Sequence, residues 1–224
     1  MATKKTTAKS AIEIQTIDIE ERYITIEGDS DLVLNKMDRP TERSLIDQRK
    51  DKAKSAKKVN AWEKVITSIH WQNPLDPEEL GDADTWDLST IEHLLKNNKP
   101  CISAFGLYKS FGQAVVRNEI DTYATKFNAN VIVCGAEGTD GLIPIEFETW
   151  SLDDKLMQPQ KGGPVLAQLN RFTHWKATFK IRFNRNGKFS LEQIVNIINF
   201  AGFGLGIGSG RSSGYGRYHV TNIV

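Results

Sequence analysis

The residues best placed to do chemistry lie near the C-terminus. Seven glycines fall in the fifteen residues from Gly202 to Gly216. Gly204, Gly206, Gly208 and Gly210 alternate with larger residues, and Arg211, Tyr215, Arg217 and Tyr218 stand among or beside them. Glycine lets backbone N–H groups approach a ligand and tolerates φ > 0. A loop of this kind can wrap phosphates, and arginine with aromatics favours nucleic acid over a small metabolite. Two better-known phosphate loops are excluded. No Gly-Lys-Ser/Thr ends the run, as a P-loop requires, and the run follows a helix pattern, whereas a dinucleotide fingerprint follows a strand.

Three further cation groups accompany the loop. Residues 175–184 (WKATFKIRFN) alternate strictly, with Trp175, Ala177, Phe179, Ile181 and Phe183 on one face and Lys176, Lys180 and Arg182 on the other. A stripe of one sign is a candidate phosphate track, with Phe172 and His174 as stacking groups. The competing reading is an ordinary surface whose acids come from neighbouring strands. Lys109, Gln113 and Arg117 share a helix face at i, i+4, i+8. Finally, six of the ten residues from Arg49 to Lys58 are basic, Arg49 and Lys52 among them. That run is either a solvated helix face or a contact surface, for nucleic acid or for the acidic residues 76–92 of a neighbouring copy. Trp62 and Trp71 would belong to the same thumb or subunit bridge.

Catalytic signals are sparse. His70, His93, His174 and His219 form no metal-protease pair. His219, next to the glycine run, is the one weak candidate for a general base in RNA cleavage. Asp121 and the acids of 76–92 match no metal-loop spacing. No metal and no cofactor is expected. Cys101 and Cys134 lie in apolar stretches and read as buried thiols of a reducing compartment.

The elements that must position these groups follow from periodicity. The chain has 224 residues, 39% hydrophobic and 25% charged, with a formal net charge of +1. That suits one soluble domain, and any nucleic-acid surface must come from local segregation of charge. No apolar run approaches a membrane span and the N-terminus lacks a signal-peptide core, so the expected setting is the cytoplasm without membrane attachment. Residues 1–11 read as a disordered tail and 12–224 as a single domain. Tyr23 to Glu27 is a strand, 41–72 is helical, 105–119 is a helix, and 130–134 and 142–147 are strands. Residues 150–165 read as a loop or irregular hairpin. Ser190 opens a helix with Gln193 completing a capping box, Gly202 stands at its αL end, and 217–224 forms a last strand. The order approximates βαββαβ with an insertion at about 38–98. The fold class is α+β, ferredoxin-like or RRM-like, with helices covering one face of the sheet.

A glycine loop with arginine, after the last helix and before the final strand of such a domain, resembles the RAMP superfamily, which includes RNA-binding backbone subunits of CRISPR effector complexes. The segment Ile102-Ser103-Ala104-Phe105-Gly106-Leu107-Tyr108-Lys109 is similar to the RNA-contacting start of the first RAMP helix, with Lys109 as the matching cation. Here Phe111 stands near a position usually occupied by glycine. The strand 24–30, the segment 102–116 and the run 191–204 also resemble a group of uncharacterised phage and prophage proteins. The resemblance implies a non-catalytic, RAMP-like binder of single-stranded RNA or DNA that oligomerises, as a ring or filament, along its ligand. Two other functions stay open. One is an interaction or anti-defence protein that mimics a CRISPR backbone subunit and binds a host or phage complex. The other is a metal-independent ribonuclease.

Overall fold

The computed structural model describes residues 16–50, 59–157 and 165–224. The predicted tail 1–11 and Lys52 lie outside them, and of Arg49 only the backbone is described. The described chain opens with β1 (Ile19–Gly28) and β2 (Leu32–Leu34). Helices α1 (Arg39–Lys50) and α2 (Ala61–Thr67) follow, then β3 (His70–Trp71), the single turn α3 (Pro77–Leu80) and α4 (Leu88–Asn97). β4 (Pro100–Ser103) runs directly into α5 (Ala104–Arg117), followed by α6 (Ala124–Asn128), β5 (Val131–Cys134) and β6 (Leu142–Glu146). Next come β7 (Thr149–Met157), β8 (Val165–Thr173), β9 (Lys176–Asn184), α7 (Leu191–Gly204) and β10 (Tyr218–Ile223).

The architecture is mixed α and β. The main sheet runs β10-β1-β9-β6-β4-β3, all antiparallel, with β5 also paired to β9. β9 therefore has two partners on one side: β5 along 180–183 and β6 along 176–177. Its alternation holds as read: Ala177, Phe179, Ile181 and Phe183 are buried. Helix α5 starts where the Ser103 hydroxyl accepts the Gly106 N–H, and it buries Leu107, Phe111, Ala114 and Val115. The Phe111 ring meets Phe179 of β9 at 6.2 Å between centroids, so α5 covers the apolar side of the sheet. α7 begins with the predicted Ser190/Gln193 capping box and buries Ile194, Ile197, Ile198 and Ala201. A Phe or Ile taken fully from water contributes roughly 1.5–3 kcal/mol, so these two faces supply much of the core.

Two expectations are corrected and one is narrowed. Of the two readings of 150–165 the hairpin holds: β7 and β8 pair antiparallel along their described length and, with β2, make a second sheet. Gly202 is not the αL terminator, because α7 continues to Gly204. Its missing side chain serves packing: a Cβ there would stand 2.0 Å from the Tyr218 carbonyl oxygen. Gly206, at φ 69°, ends the helix instead, its N–H donating to the Ala201 carbonyl. The 38–98 region is also less of an appendage than expected. Val65, Ile66, Ile69, Trp86, Ile91 and Leu94 join the main core, and β3 extends the main sheet. Trp71 is buried with its indole N–H on the Ile66 carbonyl, and Trp62 is half-buried against the core. Neither is an exposed bridge.

The acids of that region have local work. Asp76, Asp82 and Asp87 each accept a backbone N–H at the start of α3, a 3₁₀ turn and α4 respectively. Glu79 pairs with His93. Asp121 pairs with Lys126 at 3.1 Å and with Lys188, and the Lys188 contact foremost holds its carboxyl well below the usual range. No group of three potential metal ligands occurs among the described residues. No described helix is long and apolar enough to cross a membrane. Cys101 is buried, its thiol pushed up to about 12 by burial, and Cys134 is partly exposed.

Candidate nucleic-acid interface

The open face of the main sheet carries the Lys176, Lys180 and Arg182 stripe, as its alternation requires. Its neighbours supply the opposite sign. Glu21 of β1 lies 3.2 Å from Lys180 and 2.9 Å from Arg182, and Glu146 of β6 lies 3.0 Å from Lys176. The hydrogen bond from Lys180 to Glu21 raises the lysine pKa, as expected for a cation already holding an anion. The single-sign argument therefore fails at the level of the sheet. Phe172, read as a stacking group, is fully buried in β8, and His174 pairs with Glu148.

A different surface gathers unpaired cations. Between α5, the glycine-rich loop and the end of β2 runs a groove of two adjoining hollows, about 280 Å³ and about 530 Å³. They share Gln113, Gly208, Ser209 and Arg211. A smaller hollow of about 130 Å³ extends it past Lys36 and His70 to Arg39. Lys36, Arg39, Lys109, Arg117, Arg211 and Arg217 line this path, and no Asp or Glu does. Among the described residues none of these six forms an ion pair. Arg217 instead donates to the carbonyls of Phe203, at 2.9 Å, and Arg211, at 3.4 Å.

The electrostatics match. Lys36 is exposed as a residue, yet its ammonium is partly shielded from water. That shielding first, and Arg39 second, lower its pKa, with Glu42 opposing more weakly. His70 is lowered too, by burial and then by Lys36. In both, shielding from water is the main cause and a neighbouring cation adds to it.

Helix periodicity puts Lys109, Gln113 and Arg117 on one face of α5, and that face lines the groove. The loop is placed by its own backbone. Ser209 N–H donates to the Val33 carbonyl, Gly216 N–H to Asp31 and Ile207 N–H to Gly216. Gly216, at φ 70°, could not carry a Cβ, which would stand 1.9 Å from the Ile207 oxygen. Asp31 is held in turn by Arg171, which also binds Asp153 of β7. Of the four glycines singled out, Gly204 sits in α7 and Gly206 caps it. Gly208 and Gly210 line the groove, and among the described residues their N–H groups meet no acceptor.

The aromatics divide. Tyr215 faces away from the groove, half-buried with Lys155 at 5.4 Å over its ring and Asp153 and Asp154 nearby. Tyr218 is fully buried against Trp175, and that burial raises its hydroxyl pKa. It is closed to stacking. His219 lies outside the groove, its Nδ1 2.6 Å from Asp29. Lys36, Arg39 and His70 were missed by sequence reading; the only signal was that two cations flank the end of a short strand.

No protein-family model and no curated protein matches the chain. Among solved structures it is similar to Cmr6 from Pyrococcus furiosus, at 10% identity over 92% of this chain and 100% of that one, with a TM-score of 0.39. It is also similar to a chain of the type III-B Cmr-beta complex bound to cognate target RNA, at 11% identity over 91% of this chain and 60% of the other, again at 0.39. Both are RAMP-type CRISPR proteins, the group its sequence motifs resemble.

Proposed function

We propose that this chain is a non-catalytic, RAMP-like binder of single-stranded nucleic acid, and that its phosphate track is the groove between α5 and the glycine-rich loop. The observation that carries the reading is the run of six cations without an acid: Lys36, Arg39, Lys109, Arg117, Arg211 and Arg217. Proteins normally neutralise clustered charge, as the sheet face here does. A groove left positive is suited to a polyanion, whose condensed counterions are released on binding. In this reading the strand order β10-β1-β9-β5, backed by α5 and α7, is a ferredoxin-like core, and the remaining strands are additions around it. Assembly of copies along the ligand belongs to the same reading. The phage-type grouping, read from the landmarks 24–30, 102–116 and 191–204, and a cytoplasmic setting belong to the same reading.

The test is filter binding with 20-nucleotide RNA and DNA strands across a salt series. Wild-type protein should bind with a log–log salt slope of about −4, since six phosphates neutralised at about −0.7 each set that scale. Well-folded protein with no salt-sensitive binding to either strand would overturn the proposal and favour a protein partner. Electron micrographs with and without the strand report whether assembly requires it.

A further inference from the structure

Two of the most exposed aromatics are chain neighbours of residues that line the groove. Phe105, in the first turn of α5, is 61% exposed, and Phe203, in the last turn of α7, is 85% exposed. Single exposed apolar residues are ordinary on a protein surface. These two differ in being tied to groove cations. The Lys109 ammonium lies 4.5 Å from the centre of the Phe105 ring, and the neighbouring Tyr108 ring lies nearly parallel at 6.4 Å. Gly106 and Lys109, one and four residues after Phe105 in the helix, both line the groove. Phe203 presents its carbonyl to the Arg217 guanidinium at 2.9 Å, and the adjacent Gly204 lines the other hollow with Arg217.

Each pair therefore combines a largely exposed ring with a cation that has no carboxylate partner among the described residues. A nucleotide offers the same two features, a flat base and a phosphate. We infer that Phe105 with Lys109, and Phe203 with Arg217, are two nucleotide subsites in which the ring stacks an unpaired base while the cation holds its phosphate. This rests on the groove being the nucleic-acid track and adds what the cations alone lack, a preference for unpaired bases. In a duplex the bases are already stacked on one another and offer no free face to a side chain.

Fluorescence anisotropy tests it, with end-labelled dT15 and U15, an abasic 15-mer backbone and a 15-base-pair duplex. Wild-type protein should favour the single strands over both other probes. F105A and F203A should each lose about tenfold for the single strands, the scale of one stacked base, with the abasic affinity and the salt slope unchanged. F105W should restore binding. Loss from one aromatic alone keeps that subsite and removes the other. Equal loss on the abasic probe, or no loss from either variant while K109E/R211E binds poorly, overturns the inference and leaves the groove standing. Wild-type binding by folded K109E/R211E overturns the groove itself.

Discussion

The sheet face and the groove are both rich in cations, and they differ in what their neighbours contribute. On the sheet, Glu21 serves Lys180 and Arg182 while Glu146 serves Lys176. In the groove, Lys36, Lys109, Arg117 and Arg211 have no such partners among the described residues. Two lysines report the contrast in opposite directions: Lys180 is raised by its glutamate, Lys36 lowered by shielding and by Arg39. Exposed ion pairs contribute about 0–1 kcal/mol to stability. The sheet pairs matter more for cancelling a field than for holding the fold.

Charge reversal gives the largest separation. K109E/R211E in the groove should weaken single-strand binding about a hundredfold at 0.1 M salt, whereas K180E/R182E on the sheet should cost under about threefold. Filter binding of the two variants side by side checks this; equal losses would erase the distinction. A smaller effect runs the other way. Glu21→Gln removes the shared counter-charge of Lys180 and Arg182, so binding at low salt should strengthen about threefold and the gain should vanish near 0.5 M salt. Unchanged low-salt affinity would mean that the sheet face lies out of the ligand's reach.

The smallest effect is a pH dependence. His70 is neutral at pH 7, its pKa below the ordinary value of 6.5. Protonation would add a seventh positive group to the groove, so affinity should rise by about two- to threefold as pH falls from 7 toward 5. His70→Ala should flatten that rise while leaving the affinity at pH 7.5 unaltered. Anisotropy titrations at each pH measure it.

Local patterns were legible in the sequence, whereas pairings across the fold were not. The i, i+4, i+8 spacing of Lys109, Gln113 and Arg117 put them on one face, and the strict alternation of β9 fixed its two sides. The sign of the sheet face failed because Glu21 and Lys180 are 159 residues apart and meet only through strand register. Lys36 and Arg39 escaped for the same reason, since nothing nearby in sequence marks Lys36 as lining the groove with α5 or Arg39 as lining its extension. The regularity of β7 escaped because Asp153-Asp154-Lys155 interrupts its apolar alternation. Its Asp153 has a distant partner, Arg171, and Trp150 bonds the buried Asn170. An aromatic beside a glycine loop reads equally as surface or core, and here Gly202 opens the space that buries Tyr218.

The backbone bonds that fasten Ile207, Ser209 and Gly216 have a consequence for kinetics. A run with seven glycines in fifteen residues would be expected to cost much conformational entropy when it meets a ligand. Here that ordering takes place during folding, when the carbonyls of Asp31, Val33 and Gly216 claim the loop's amide hydrogens. Arg211 is thus carried on a preorganised support, and a strand arriving by electrostatic attraction meets a finished surface with no loop left to fold around it. Slow hydrogen exchange at Ile207, Ser209 and Gly216 in the free protein is the signature of that rigidity.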